Sequence, residues 1–157
     1  KLGVFEKSSF SNRRVKYREE NGSVTIILGD APVNKILITT QHLRLKAVLN
    51  DSPTAKEIFM ALPLQGQANV WGEEIYFEIP VSMPQESDAR QDMLVGELAY
   101  WPTGRAFCIF FGPTPISSGS EIKPASAVNV FGRVVGDPTV FKQVSSGSAV
   151  RVEKVSS

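Results

Sequence analysis

Between Leu43 and Leu49 the side chains alternate, with Leu43, Leu45, Ala47 and Leu49 on one face of an extended chain and Arg44 and Lys46 on the other. A period of two marks a strand with one buried face. The pattern returns where Ile75, Phe77 and Ile79 oppose Glu74, Tyr76 and Glu78. Apolar runs over Lys35–Thr40, Gly96–Trp101, Ala106–Phe111, Val128–Val135 and Ala149–Val155 predict further strands, and Pro102-Thr103-Gly104-Arg105 turns the chain between two of them. A different period appears after Ser52. Ala55, Ile58, Phe59 and Leu62 recur at helical spacing, Ser52 is placed to cap, Pro53 suits the first helical position, and Pro63 ends the run. Asp137-Pro138 repeats the cap-and-proline device and predicts a short helix through Val144. Many short strands and two small helices, one after the second strand and one before the last, point to an antiparallel barrel or sandwich.

The first 34 residues read differently. Arg13, Arg14, Lys16 and Arg18 make them basic, and Asn21-Gly22 lies between Val15-Lys16-Tyr17 and Val24–Leu28, the signature of a tight hairpin. Gly29-Asp30-Ala31-Pro32 then punctuates the chain. The division expected is an N-terminal extension over 1–34, a hairpin or an arm leading into one, and a barrel domain over 35–157. The basic cluster reads as a solvated face.

Composition removes several function classes. Seventeen basic against sixteen acidic residues leave no field for a nucleic-acid partner. No apolar run approaches the roughly 18 residues of a membrane span. Lys1-Leu2-Gly3 opens no signal-peptide core, which favours a cytoplasmic address, although the absence of Met leaves room for a removed leader. One cysteine, Cys108, and one histidine, His42, preclude an internal disulfide and a four-ligand Cys/His zinc site. Cys108, between Phe107 and Ile109, reads as a buried, slowly reacting thiol. No motif implies a cofactor or a metal.

Three blocks carry a resemblance: Leu49-Asn50-Asp51-Ser52-Pro53-Thr54-Ala55, Trp71-Gly72-Glu73-Glu74-Ile75-Tyr76-Phe77, and the run from Tyr100 to Pro115. With Val128–Val134 they resemble a family of small prokaryotic cyclophilin-like proteins, over roughly Lys35 to Glu153. The resemblance implies a mainly β fold, a closed antiparallel cyclophilin-like β-barrel with two short helices. Val130-Phe131-Gly132-Arg133-Val134-Val135 is also similar to a stretch of the peptidyl-prolyl isomerases. Against their catalytic segments, however, Phe77 falls where an arginine polarises the prolyl amide, and Ala106 and Cys108 replace a glutamine and a phenylalanine. Twisting that amide meets a barrier of about 18–20 kcal/mol, which a cation or donor lowers and a phenyl ring does not.

The expected role is therefore binding of a peptide segment or small molecule in an aromatic-rimmed cleft, with Trp71, Glu73, Glu97, Tyr100, Trp101, Arg105 and Phe107 as ligand-binding candidates. Two alternatives stand beside it: an isomerase whose cation has moved to Arg105 or Arg133, and a small-metabolite enzyme using Glu97 or Glu73. Adjacent Glu73 and Glu74 point to opposite faces of a strand and cannot act as a pair; exposure is the expectation for both. Asn129, between Val128 and Val130, is expected to bond backbone.

Overall fold

A computed structural model describes residues 2–6, 14–27 and 33–155. Three strands, β1 (Leu2–Glu6), β2 (Arg14–Glu20) and β3 (Ser23–Ile27), form one antiparallel sheet. Glu20 pairs with Ser23 across Asn21 and Gly22, whose φ angles of 49° and 79° are the two positive values a type I′ turn requires. The side chains of the Arg13–Arg18 cluster and the Gly29–Pro32 stretch lie outside the described residues.

The remaining strands are β4 (Lys35–Thr40), β5 (Leu43–Leu49), β6 (Leu64–Gln67), β7 (Asn69–Val70), β8 (Glu74–Glu78), β9 (Glu97–Trp101), β10 (Ala106–Phe110), β11 (Asn129–Val134) and β12 (Ala149–Lys154). They make a nine-stranded antiparallel sheet in the order β6-β12-β4-β5-β11-β9-β10-β8-β7. Its two edge strands are joined through Ala68, so the sheet curls into a nearly closed barrel. Strand β6 was not expected, because Leu-Gln-Gly-Gln carries a single apolar side chain. Its glycine explains the fit: a Cβ on Gly66 would stand 2.9 Å from the Phe77 ring, so the bare backbone lets Phe77 pack across the seam.

The barrel interior takes the inward sets of the alternating strands, including Ile36, Ile38, Leu49, Ile75, Phe77 and Ile109. Phe107 stacks on Phe77 at 5.1 Å and meets Phe131 edge-on at 5.0 Å. Helix α1 (Pro53–Ala61) begins with the Ser52 hydroxyl accepting from the Ala55 N–H at 3.1 Å, and buries Ala55 and Ile58. A 3₁₀ helix over Pro138–Gln143 is capped by Asp137 and buries Phe141 against Phe111. Neither helix is long and apolar enough to cross a membrane.

A second apolar cluster lies on the outer face of the sheet. Ala99, Ala106, Cys108 and Phe110 face away from the interior and are covered by Met93, Ile122 and Val128. Short bridges, Arg90 to Val128 and Met93 to Ile122, join the two covering segments. Asn129 ties one of them down: its amide donates to Thr54 Oγ1 at 3.0 Å and to the Pro84 carbonyl at 2.9 Å, and its oxygen accepts from the Glu86 N–H at 2.8 Å.

Strand β11 bulges between Val130 and Gly132, which brings Gly132 against β5. A Cβ there would lie 2.6 Å from the Val48 carbonyl oxygen, a backbone atom held in the ladder. Gly132→Ala should therefore destabilise the fold by about 1–3 kcal/mol, the usual cost of overpacking. Urea unfolding checks this; an unchanged midpoint would show that the strands separate freely.

Candidate functional site

The Trp71–Glu74 turn sets the site's geometry. The Trp71 N–H donates to the Glu74 carbonyl at 2.9 Å and the Glu74 N–H to the Trp71 carbonyl at 3.1 Å, with Gly72 between them at φ 60°. A Cβ on Gly72 would meet Pro115 at 2.8 Å, so only glycine lets the 113–115 segment close over this turn. The pleat of β8 then sends Ile75 and Phe77 inward and Glu74 and Tyr76 outward. On β10, Cys108 pairs with Tyr76 on one side and with Ala99 of β9 on the other, and Glu74 pairs with Phe110. At the end of β9, Trp101 is held by its indole N–H, which donates to Ser126 Oγ at 2.6 Å, and by Gly104, whose bare Cα admits the ring.

These elements enclose a cavity of about 190 Å³ on the outside of the barrel. Glu74 and Cys108 line its inner wall; Trp71, Tyr76 and Trp101 line its sides; Pro124, Ala125 and Val128 close it from the covering segment. The Tyr76 and Trp101 rings stand 6.4 Å apart at 79°. Glu74 is only 5 % exposed, and its Oε1 has no hydrogen-bond partner. Burial raises its carboxyl to about 7, and the neighbouring Cys108 thiol offsets part of that rise. Cys108 is itself pushed well above the usual thiol range, by burial first and then by the Glu74 charge.

The structure distributes the sequence candidates over different places. Trp71 and Trp101 meet at the cavity. Glu73 turns the other way, beside Gly112 and 3.7 Å from Lys142 Nζ. Glu97 is buried, accepts from both terminal nitrogens of Arg90 at 3.0 and 2.6 Å and from the Leu94 N–H at 2.7 Å, and so clamps the covering segment. Tyr100 lies in the core and donates its hydroxyl to the Val81 carbonyl at 2.6 Å. Phe107 is wholly internal. Arg105 is exposed and 3.5 Å from Glu78.

One sequence expectation needs correction, and two readings gain a detail. Glu74 is buried, since the covering segment that seals it is remote in sequence. Phe77, aligned with the isomerases' arginine, points into the barrel; Glu74 and Tyr76 are the β8 side chains that reach the cavity. Cys108 is buried as expected, but it also lines the cavity. The alternation that set Glu74 and Tyr76 opposite Ile75 and Phe77 was the available signal for both. A wider, shallower groove of about 500 Å³ runs past Thr39, Gln41, Gln65 and Gln67, without a carboxylate in its lining. Among the described residues no group of His, Cys, Asp and Glu side chains could hold a metal.

The cyclophilin-like family model matches residues 34–153. A hypothetical protein of Archaeoglobus fulgidus, known from its solution structure, is 37% identical, with the alignment covering 82% of this chain and 100% of that one at a TM-score of 0.68. No curated protein matches the chain significantly in sequence.

Folded Glu74 keeps its proton to about pH 7, against an ordinary value of 4.5 for the free side chain. Between those values the folded state binds more protons than the unfolded one, so stability falls as pH rises. The loss is complete above the folded value and is on the order of 3 kcal/mol. Glu74→Gln removes this component, so the variant should exceed the wild type in urea midpoint at about pH 8 and not at about pH 4. Parallel midpoints across the range would place the carboxyl in solvent.

Proposed function

The chain belongs to the cyclophilin-like family, and on that premise we propose that it binds a compact ligand in the cavity between Glu74, Cys108 and the Trp71, Tyr76 and Trp101 rings. Residues 35–157 form the binding domain in this reading, and 1–34 an appended extension. The observation that carries it is the buried, unpartnered Glu74 Oε1 at the cavity wall. Leaving such an acceptor unsatisfied costs about 1–3 kcal/mol, which a ligand donor recovers. Size narrows the choice. A volume of about 190 Å³ lies below the roughly 300–1,000 Å³ of pockets for drug-sized ligands, which favours one small, compact molecule over an extended peptide. Cys108 contributes to that space, since its alignment partner in the isomerases is the larger phenylalanine.

The isomerase alternative is less well supported. Among the described residues no lysine, arginine or histidine lines the cavity. Arg105 sits against Glu78, and Arg133 is exposed on β11. One observation favours a second reading, proton transfer on a small metabolite: a carboxyl titrating at about 7 suits general acid–base work. Glu74 takes that role in place of Glu73 or Glu97, which other contacts engage.

The two tryptophans of the chain both line the cavity, so their fluorescence reports on it directly. A library of small fragments should yield molecules that shift this emission, and Ala125→Phe, which fills the cavity mouth from its exposed side, should abolish the shifts. Hits that survive in Ala125→Phe, or no hit at all, would overturn the reading. In a proline-limited refolding assay the protein should give no acceleration; acceleration lost in Arg105→Ala or Arg133→Ala would make the isomerase reading correct instead.

A further inference from the structure

The cavity's wall chemistry narrows the class of ligand, and this step rests on the binding reading above. Among the described residues its lining contains one carboxyl group and no cationic side chain. Its sides are three aromatic residues, and the Tyr76 and Trp101 rings meet nearly at right angles, so they form two walls of a corner. The face of an aromatic ring is electronegative and attracts a cation lying over it. Trp101 presents its ring in a fixed pose, because its N–H is committed to Ser126 Oγ. The aromatic walls and the carboxyl therefore give the enclosed volume one sign of potential.

We propose that the ligand is a compact organic cation, an alkylated ammonium group that packs against the Trp71, Tyr76 and Trp101 rings and places its charge beside Glu74 Oε1. An anion would face the carboxylate with no compensating base. A neutral molecule of the same shape would fill the space but forgo both attractions. An alkylated ammonium suits the site better than a bare one, because its methyl groups cover the apolar rings while its weak hydration makes entry less costly.

The pH dependence follows from the groups around Glu74. Facing it are the Tyr76 phenol from its own strand and the Cys108 thiol from β10. Trp101 of β9 and the Pro124, Ala125 and Val128 wall bring no titratable group, while Glu73 and Lys142 pair elsewhere. Burial keeps the Cys108 thiol protonated well above its usual range, and Glu74 changes charge at about pH 7. A cation prefers the ionised carboxylate, hence affinity rises with pH through the Glu74 transition and levels off above it.

Choline and its uncharged carbon isostere, dimethylbutanol, make the test, titrated against tryptophan fluorescence at constant ionic strength. Choline should bind at least tenfold more tightly than the isostere at about pH 8, and its advantage should shrink at about pH 5. Glu74→Gln, with its fold checked by circular dichroism, should lose most of the preference and all of its pH dependence, whereas Ala125→Phe should bind neither probe. Equal affinity for the two probes, or a preference untouched in Glu74→Gln, would overturn the cation assignment while leaving a compact-ligand site standing. Failure of both probes, with uncharged fragments still shifting the emission, would do the same. If no fragment binds either, the binding reading falls with it.

Discussion

Strand β10 is apolar on both faces, and a strand of that kind has to be covered twice. Phe107 and Ile109 are satisfied by the barrel interior. Ala106, Cys108 and Phe110 need a second layer, which the sheet itself does not provide. The layer comes from segments with little regular structure, between β8 and β9 and between β10 and β11. Segments like these have little strand ladder to hold them, only isolated bridges, so they need polar anchors. Glu97 supplies one by receiving the Arg90 fork and the Leu94 N–H together; Asn129 supplies another by binding three partners at once. Both anchors are buried polar groups whose hydrogen bonds are met, the condition under which such groups specify a single arrangement.

Where the outer layer stops short, Glu74 is left behind. Glu97 is also nearly inaccessible, yet the two acids have opposite fates. Glu97 has an arginine within reach, so its charge is compensated. Glu74 is buried among aromatic rings with only the Cys108 thiol to offset part of the cost, so its charge is opposed. A residue kept in that condition lowers the stability of the fold, and such costs concentrate at sites with a task.

The architecture was largely legible in the chain, and the site only partly so. Period-two alternation marks β5 and β8 because each shows a clear difference between its faces, and Asn21-Gly22 marks a hairpin because few other pairs accept two positive φ angles. Strand β6 escaped because its place depends on Gly66 making room for Phe77, a contact between residues eleven positions apart with no local pattern. The aromatic rim was read from residue type alone, which grouped Tyr100 and Trp101 although neighbours on a strand face opposite ways. The pleat sends Tyr100 to the core and Trp101 to the cavity. Glu74 and Cys108 were passed over for a different reason. Their environment is made by Pro124, Ala125 and Val128, and no short-range rule places that segment over β8 and β10.

The seam of the barrel has one more consequence. The edge strands of the nine-stranded sheet are four and two residues long, and a single alanine links them. Ala68 also spends its own backbone groups, donating to the Ser148 carbonyl and accepting from the Gly147 N–H. An open sheet of nine strands would expose two full rows of unpaired amides, a template on which another chain can grow. Here the chain turns one edge directly into the other, leaving too little free ladder to recruit a foreign strand. The barrel thus protects itself from edge-to-edge aggregation by connectivity, without the charged or proline-bearing edge strands that open sheets use.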